Sequence, residues 1–307
     1  MGLSRAREVD GRVKESIRAY YIGNDGPVEM LLASIVAGGH VLLEGPPGVG
    51  KTTLAKLLAQ SIGGTFKRVQ MTSDLLPSDV LGGLVWDQAK GSYAFRPGPI
   101  FANVVLVDEL NRATPRTQSA LLEAMAEGQV TVDVNTYPLP KPFLVIATQV
   151  PADVGGVFPL TVTELDRFAA KVAVGLPSRA EELKILKLSD SLMSPSLKPV
   201  TTPEEVAELQ EAASRVRVDD SVAEYIVSIV SEARSLGLPL PPSVRATIWL
   251  YRISRALALL DGRDYVIPDD VKRAAGPVLR HRLAGPPGFD PDKAVEAIVQ
   301  RVPVPRG

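Results

Sequence analysis

Nine residues, GPPGVGKTT at 45–53, form the pattern best suited to chemistry. Gly45, Gly50, Lys51 and Thr52 satisfy G-x-x-x-x-G-K-[ST]. Small residues let backbone N–H groups wrap phosphates at a helix N-terminus, the lysine reaches the β/γ oxygens, and the threonine hydroxyl faces Mg²⁺. Pro47, Gly48, Val49, Gly50, Lys51, Thr52 and Thr53 are therefore the expected nucleotide-binding set, with Thr52 also a metal ligand.

Such a loop needs a carboxylate at the end of an apolar strand, and VVLVDE at 104–109 supplies it. Asp108 would hold magnesium through its water shell; Glu109 would polarise the attacking water. Alone, an Asp-Glu pair at a strand end is only a polar exit from the core. Paired with the phosphate loop, it reads as catalytic. Guanine recognition would call for Asn-Lys-x-Asp, and the chain has no Asn-Lys pair, so ATP is the expected nucleotide.

The elements that would carry these residues are legible around them. HVLLEG (40–45), FKRVQM (66–71), NVVLVDE (103–109), FLVIAT (143–148) and AKVAVGL (170–176) read as buried strands. Several are apolar on consecutive residues, as a sheet covered on both faces requires. KTTLAKLLAQSI spaces Leu54, Leu57, Leu58 and Ile62 as a helix does, and the helix after Asp108–Glu109 should have Thr114 as N-cap, Pro115 at its first position and Gly128 as its stop. Alternation of this kind predicts a three-layer α/β domain on a parallel sheet over 1–177.

Two segments, 84–95 and 129–140, read as hairpins inserted between sheet elements. They are either edge ribbons or, through Trp86 and Tyr93, interaction surfaces. Beyond Pro177 the pattern turns helical. Val222, Tyr225, Ile226, Ile229, Val230 and Ala233 share one helix face; Trp249, Leu250, Ile253 and Leu257 share another. Residues 178–307 are thus expected to form an all-helical second domain.

Composition narrows the function further. The 307 residues are 45% hydrophobic, enough for sizeable cores, and 34 basic against 35 acidic residues give a net charge of −1. That balance argues against a dedicated nucleic-acid module. With no cysteine, thiol chemistry and disulfides are excluded. His40 and His281 lack flanking carboxylate patterns and read as structural. No signal-like apolar region opens the chain and no run approaches a membrane span, so a cytoplasmic protein is expected.

The phosphate loop, DLLPSDVLGG, FRPGPIFANVVLVDELNRATPRTQSALLEAMAEGQVTV, YPLPKPFLVIATQ and LDRF together resemble the MoxR group of AAA+ ATPases, densely over about 20–180 and more loosely in the helical part. The resemblance implies a ring-forming ATPase, most simply a hexamer, with ATP and Mg²⁺ as cofactors. It would act as a chaperone or remodeller of partner proteins, some carrying a von Willebrand factor A domain. Ile22 and Gly23 would pack on the adenine, the hairpins would face a central channel, and the helical domain would be a lid. Arg245, which alone reads as a solvated helix charge, would become a γ-phosphate contact.

Arg167, in LDRF, has two readings. Spacing alone offers a surface ion pair with Glu164 or Asp166. The resemblance makes it an arginine finger acting on the next subunit's ATP. One departure stands out: ATQVP places Val150 where the family has a polar asparagine, leaving Thr148 or Gln149 to take that role, or hydrolysis slower or differently gated. A nucleic-acid-dependent motor and a nucleotide-gated adaptor with little turnover are the competing functions. Against the first, the hairpin turns carry few basic residues.

Overall fold

A computed structural model describes residues 2–151, 155–193 and 197–305. Nine strands are present among them: β1 Val41–Glu44, β2 Phe66–Gln70, β3 Gly82–Asp87, β4 Ser92–Pro97, β5 Val104–Asp108, β6 Gln129–Val132, β7 Asn135–Pro138, β8 Leu144–Thr148 and β9 Ala170–Ala173. Five of them pair in parallel in the order β2-β5-β8-β1-β9. All five strands predicted from apolar runs are there, and the consecutive apolar residues serve the purpose expected of them. On β5, Val104 and Leu106 enter one hydrophobic cluster while Val105 and Val107 enter another on the opposite face.

The helix Pro115–Glu127 starts and stops as its sequence dictates. The Thr114 hydroxyl accepts from the Thr117 N–H, Pro115 fills the first turn, and Gly128 closes the helix at φ 64°. The two inserted segments are antiparallel hairpins, β3–β4 and β6–β7, the first extending slightly beyond the predicted bounds. Phe95 of β4 stacks on Tyr137 of β7 at 3.8 Å between ring centroids, so the ribbons touch.

Helices dominate the chain after β9: Pro203–Arg215, Asp220–Arg234, Val244–Leu260, Pro268–Leu279 and Pro291–Arg301 are the long ones. All six residues assigned to one face of Asp220–Arg234 are buried. On Val244–Leu260, Leu250, Ile253 and Leu257 are fully buried, whereas Trp249 is half-buried, its indole lying along Gly39 with Arg252 over its ring. The charged N-terminal stretch proves to be an amphipathic helix, Leu3–Arg18, burying Ala6, Val9, Val13 and Ile17. It packs on Val244–Leu260, so one cluster runs from the N-terminal helices through one sheet face into the lid helices.

His40 sits at the entry to β1, fully enclosed. Its Nδ1 accepts from the Val145 N–H and its Nε2 donates to the Met125 carbonyl, both at 3.0 Å, which fixes the neutral ring. Burial lowers its pKa from 6.5 to about 4. Above pH 6.5 neither folded nor unfolded chain protonates this ring, so its contribution is complete. Between 6.5 and about 4 only the unfolded chain takes the proton, and stability falls as pH drops. The loss is expected to reach about 3 kcal/mol. His281, also buried and pushed well below 6.5, adds in the same direction. Urea unfolding across this range should show a shallower slope for His40→Gln than for the parent; parallel slopes would rule out this assignment.

Candidate active site

In a parallel sheet the carboxyl ends of the strands share one edge, where ligands gather. Here that edge brings together the loop after β1, Asp108 at the end of β5 and Thr148 at the end of β8. Leu43 stands opposite Thr148 and Val107 opposite Ala147, placing the three strand ends side by side.

The loop between β1 and the helix Lys51–Ser61 is built for backbone approach. Gly48 and Gly50 have φ of 82° and 91°, and Gly50 caps the helix in the left-handed region. Gly45 has a second constraint, since a Cβ there would lie 2.2 Å from the Val174 carbonyl oxygen. Lys51 Nζ donates to the Gly45 and Pro46 carbonyls at 2.6 and 2.9 Å, arching over the loop. Burial lowers its pKa and the nearby Asp108 opposes that shift. Thr52 and Thr53 follow in the first helical turn, half-buried.

Asp108 is buried with both oxygens engaged. Oδ1 accepts from Thr148 Oγ1 at 3.1 Å, and Oδ2 accepts from Arg68 Nε at 2.7 Å. Thr148 Oγ1 in turn accepts from the Glu109 N–H at 2.9 Å, tying both acidic residues to β8. Glu109 itself is left-handed, φ 57° and ψ 47°, an uncommon conformation for a non-glycine residue that turns its side chain out of the strand. Its carboxylate forms an ion pair with Arg112 at 2.6 Å. A hydroxyl and a carboxylate, hard oxygen donors beside a phosphate cradle, suit magnesium with most of its waters retained.

Val150 joins this edge only through its backbone. Asn111 accepts from its N–H and donates to its carbonyl, each at 2.9 Å. Of the residues weighed for the polar role on β8, Thr148 is the one in hydrogen-bond contact with Asp108. Ile22 and Gly23 lie in the turn between the helices Leu3–Arg18 and Gly26–Val36; the adjacent Tyr21 ring extends to the phosphate loop, 3.7 Å from a Cβ at Gly50.

Arg167 and Arg245 form a second group. The ion pair with Glu164 or Asp166 that spacing suggested is not made, because both carboxylates are committed elsewhere. Glu164 accepts from the Thr161 N–H in a capping box, and Asp166 is turned into the lid helices. Arg167 donates instead to the Leu122 carbonyl at 3.1 Å. Arg245, 54% exposed, pairs with Asp166 at 3.6 Å. Asp166 also bonds Arg282, whose side chain is 1% exposed and which burial pulls below its ordinary pKa. Truncating either member of such a buried pair costs about 3–5 kcal/mol.

Sequence reading missed Arg68, Arg112, Tyr21, Asp166 and Arg282 as participants. Arg68 is an exposed residue of the edge strand β2 whose sequence neighbours do not point to Asp108, and Arg282 sits in RHR, which reads as a surface cluster. No periodicity marks a charge as buried.

A phosphate loop opening a helix, an acidic pair on the adjacent-but-one strand, and a helical lid define a P-loop ATPase of the AAA+ class. The family model for the ATPase family associated with various cellular activities (AAA) matches residues 40–170, and that for the AAA lid domain matches 228–302. The Bacillus subtilis protein YeaC is 45% identical, covering 96% of this chain and 94% of its own length. Chaperone MoxR1 of Mycobacterium tuberculosis is 38% identical, with 94% and 81% covered. A solved structure from Cytophaga hutchinsonii, assigned as an ATPase, superposes with a TM-score of 0.91 at 33% identity, over 99% of this chain and 97% of that one. The chain belongs to the MoxR family of AAA+ ATPases.

Proposed function

We propose that this ATPase assembles into a ring, most simply a hexamer, and spends ATP hydrolysis on remodelling a partner protein. MoxR1 is named a chaperone, and the hairpins supply the observation that extends this role to the present chain. Large hydrophobic side chains stand exposed on them: Trp86 and Tyr93 are 55% and 68% exposed in edge-to-face contact, and Val134 at the second tip is 85% exposed. Lys90, in the first turn, is paired with Asp87 at 3.5 Å. Such tips suit a protein partner better than a phosphate backbone, which places the nucleic-acid motor second. Exposed Leu176, Leu183 and Leu186, after β9, support contact between subunits.

Residues 47–53 bind the phosphates, with Lys51 moving from the loop carbonyls to the γ-phosphate, and Ile22 and Gly23 border the base. Thr52 and Asp108 hold magnesium, which neutralises phosphate charge when bound. Glu109 orients water once released from Arg112, and Thr148 fixes both acidic residues. Arg245 would exchange Asp166 for the γ-phosphate, and Arg167 would serve the neighbouring subunit. The chain divides at 177/178 into a sheet domain and a lid that close on ATP. We place the protein in the cytoplasm; among the described residues no helix is long and apolar enough to cross a membrane. A von Willebrand factor A protein is the partner class we favour.

Blocking hydrolysis should hold the partner-bound state. Affinity capture with a Glu109→Gln form in ATP is expected to retain a partner that ADP releases, with a von Willebrand factor A protein among those recovered. Capture of the same set in ATP and ADP would overturn the remodelling function; a set without that domain would overturn the partner class alone. The adaptor alternative is decided by ATP turnover.

A further inference from the structure

Asp166 stands immediately before Arg167, yet its side chain belongs to the lid. Oδ1 accepts from Arg282 Nε at 2.7 Å, and Oδ2 accepts from the Ser243 hydroxyl at 2.7 Å, with Arg245 3.6 Å away. The grip extends along the backbone. Arg282 also donates to the carbonyls of Asp166 at 3.0 Å, Phe168 at 2.6 Å and Ala169 at 3.4 Å, and to Val278 of the preceding helix, and it lies 2.8 Å from His281 Nε2. A guanidinium has five N–H donors in a rigid fork: Nε and one terminal nitrogen are given to Asp166 and Phe168, and the other terminal nitrogen is shared among Val278, Ala169 and His281. One lid side chain therefore holds residues 166, 168 and 169, leaving out only Arg167, whose own guanidinium runs the other way to Leu122.

This arrangement goes beyond what anchoring the lid requires. The turn Arg280–Arg282 already packs against β9 and the helix Val162–Leu165, and Arg273 of the lid independently bonds Glu29 of the helix Gly26–Val36 at 2.6 Å. What the Asp166 contacts add is a fixed backbone on both sides of one arginine. They also add a shared carboxylate, because Arg245 draws on the oxygen that Ser243 uses.

We propose that Asp166 and Arg282 are positioning residues, a lid-held clamp that aims Arg167 at the neighbouring subunit and transmits lid movement to it. The inference rests on reading Arg167 as a finger. When Arg245 leaves Asp166 for nucleotide, Asp166 loses one of its cations, and the finger's backbone support changes.

The test separates the subunit that lends the finger from the one that uses it. In mixtures of full-length Lys51→Ala and Arg167→Ala proteins, active junctions take their nucleotide site from the Arg167→Ala subunit and their finger from the Lys51→Ala subunit. Asp166→Asn placed in the Lys51→Ala subunit is expected to lower kcat about tenfold or more, as small misplacement of a catalytic group does, with KM for ATP unchanged. Placed in the Arg167→Ala subunit, it should lower kcat far less. Because Asp166→Asn leaves Arg282 without its counter-charge and risks misfolding, Ser243→Ala, which strands no charge, is run in both placements and should show the same asymmetry at smaller size. Equal effects in the two placements, or none in the lending subunit, would overturn the clamp. If the parent mixture recovers no turnover, the finger reading itself fails and the clamp falls with it.

Discussion

Full-length Arg167→Ala protein is expected to lose ATP turnover by about 10³-fold or more, the scale on which arginine fingers act. Lys51→Ala should be as inactive alone, for lack of a phosphate contact. Mixing the two should restore part of the activity, because some junctions then pair an intact loop with an intact finger. The structure gives physical grounds for acting in trans. Arg167 is held to Leu122 on the helix Pro115–Glu127, and among the described residues it makes no hydrogen bond or ion pair to the phosphate loop. Steady-state phosphate release across a titration of mixing ratios measures the effect. Retention of parental turnover by Arg167→Ala alone would exclude the finger, and inactive mixtures would exclude transfer between subunits.

Glu109→Gln should cut kcat by about 10²–10⁴-fold while leaving ATP affinity close to the parent, as loss of a water-polarising base does. Glutamine fits the same left-handed turn and cannot accept the proton. Thr148→Val is expected to give a smaller loss of kcat, since it removes the hydroxyl shared by Asp108 and the Glu109 N–H but neither carboxylate. Phosphate release at saturating ATP, with affinity followed by equilibrium titration, distinguishes binding from turnover. Equal rates for Glu109→Gln and parent would favour a nucleotide-gated adaptor over a hydrolytic machine.

Much of the scaffold was legible because local rules agreed with one another. Thr114, Pro115 and Gly128 bound their helix as side-chain chemistry requires, and the apolar runs of β1, β5 and β8 announce burial on both faces. The phosphate loop could be read because its function is carried by consecutive residues. What could not be read was pairing between charges distant in sequence. Asp108 with Arg68 spans 40 positions and Asp166 with Arg282 spans 116, and neither arginine differs in local pattern from a solvated one. The N-terminal helix was obscured for a related reason. Its buried face is Ala6, Val9, Val13 and Ile17, four apolar residues among many charges, and its burial depends on a lid helix more than 200 residues away.

The stacked rings of Phe95 and Tyr137 have a mechanical consequence. Each hairpin alone is a two-stranded ribbon, a soft element that bends on its own account. The stack is worth about 0.5–1.5 kcal/mol beyond the area it covers, and separating the rings would forfeit that. It joins the ribbons away from their tips, leaving Trp86, Tyr93 and Val134 outermost. The pair therefore behaves as a braced lever: a tilt of the helix Pro115–Glu127, which runs directly into β6, swings both ribbons through one angle, and a load on either tip is borne at two roots.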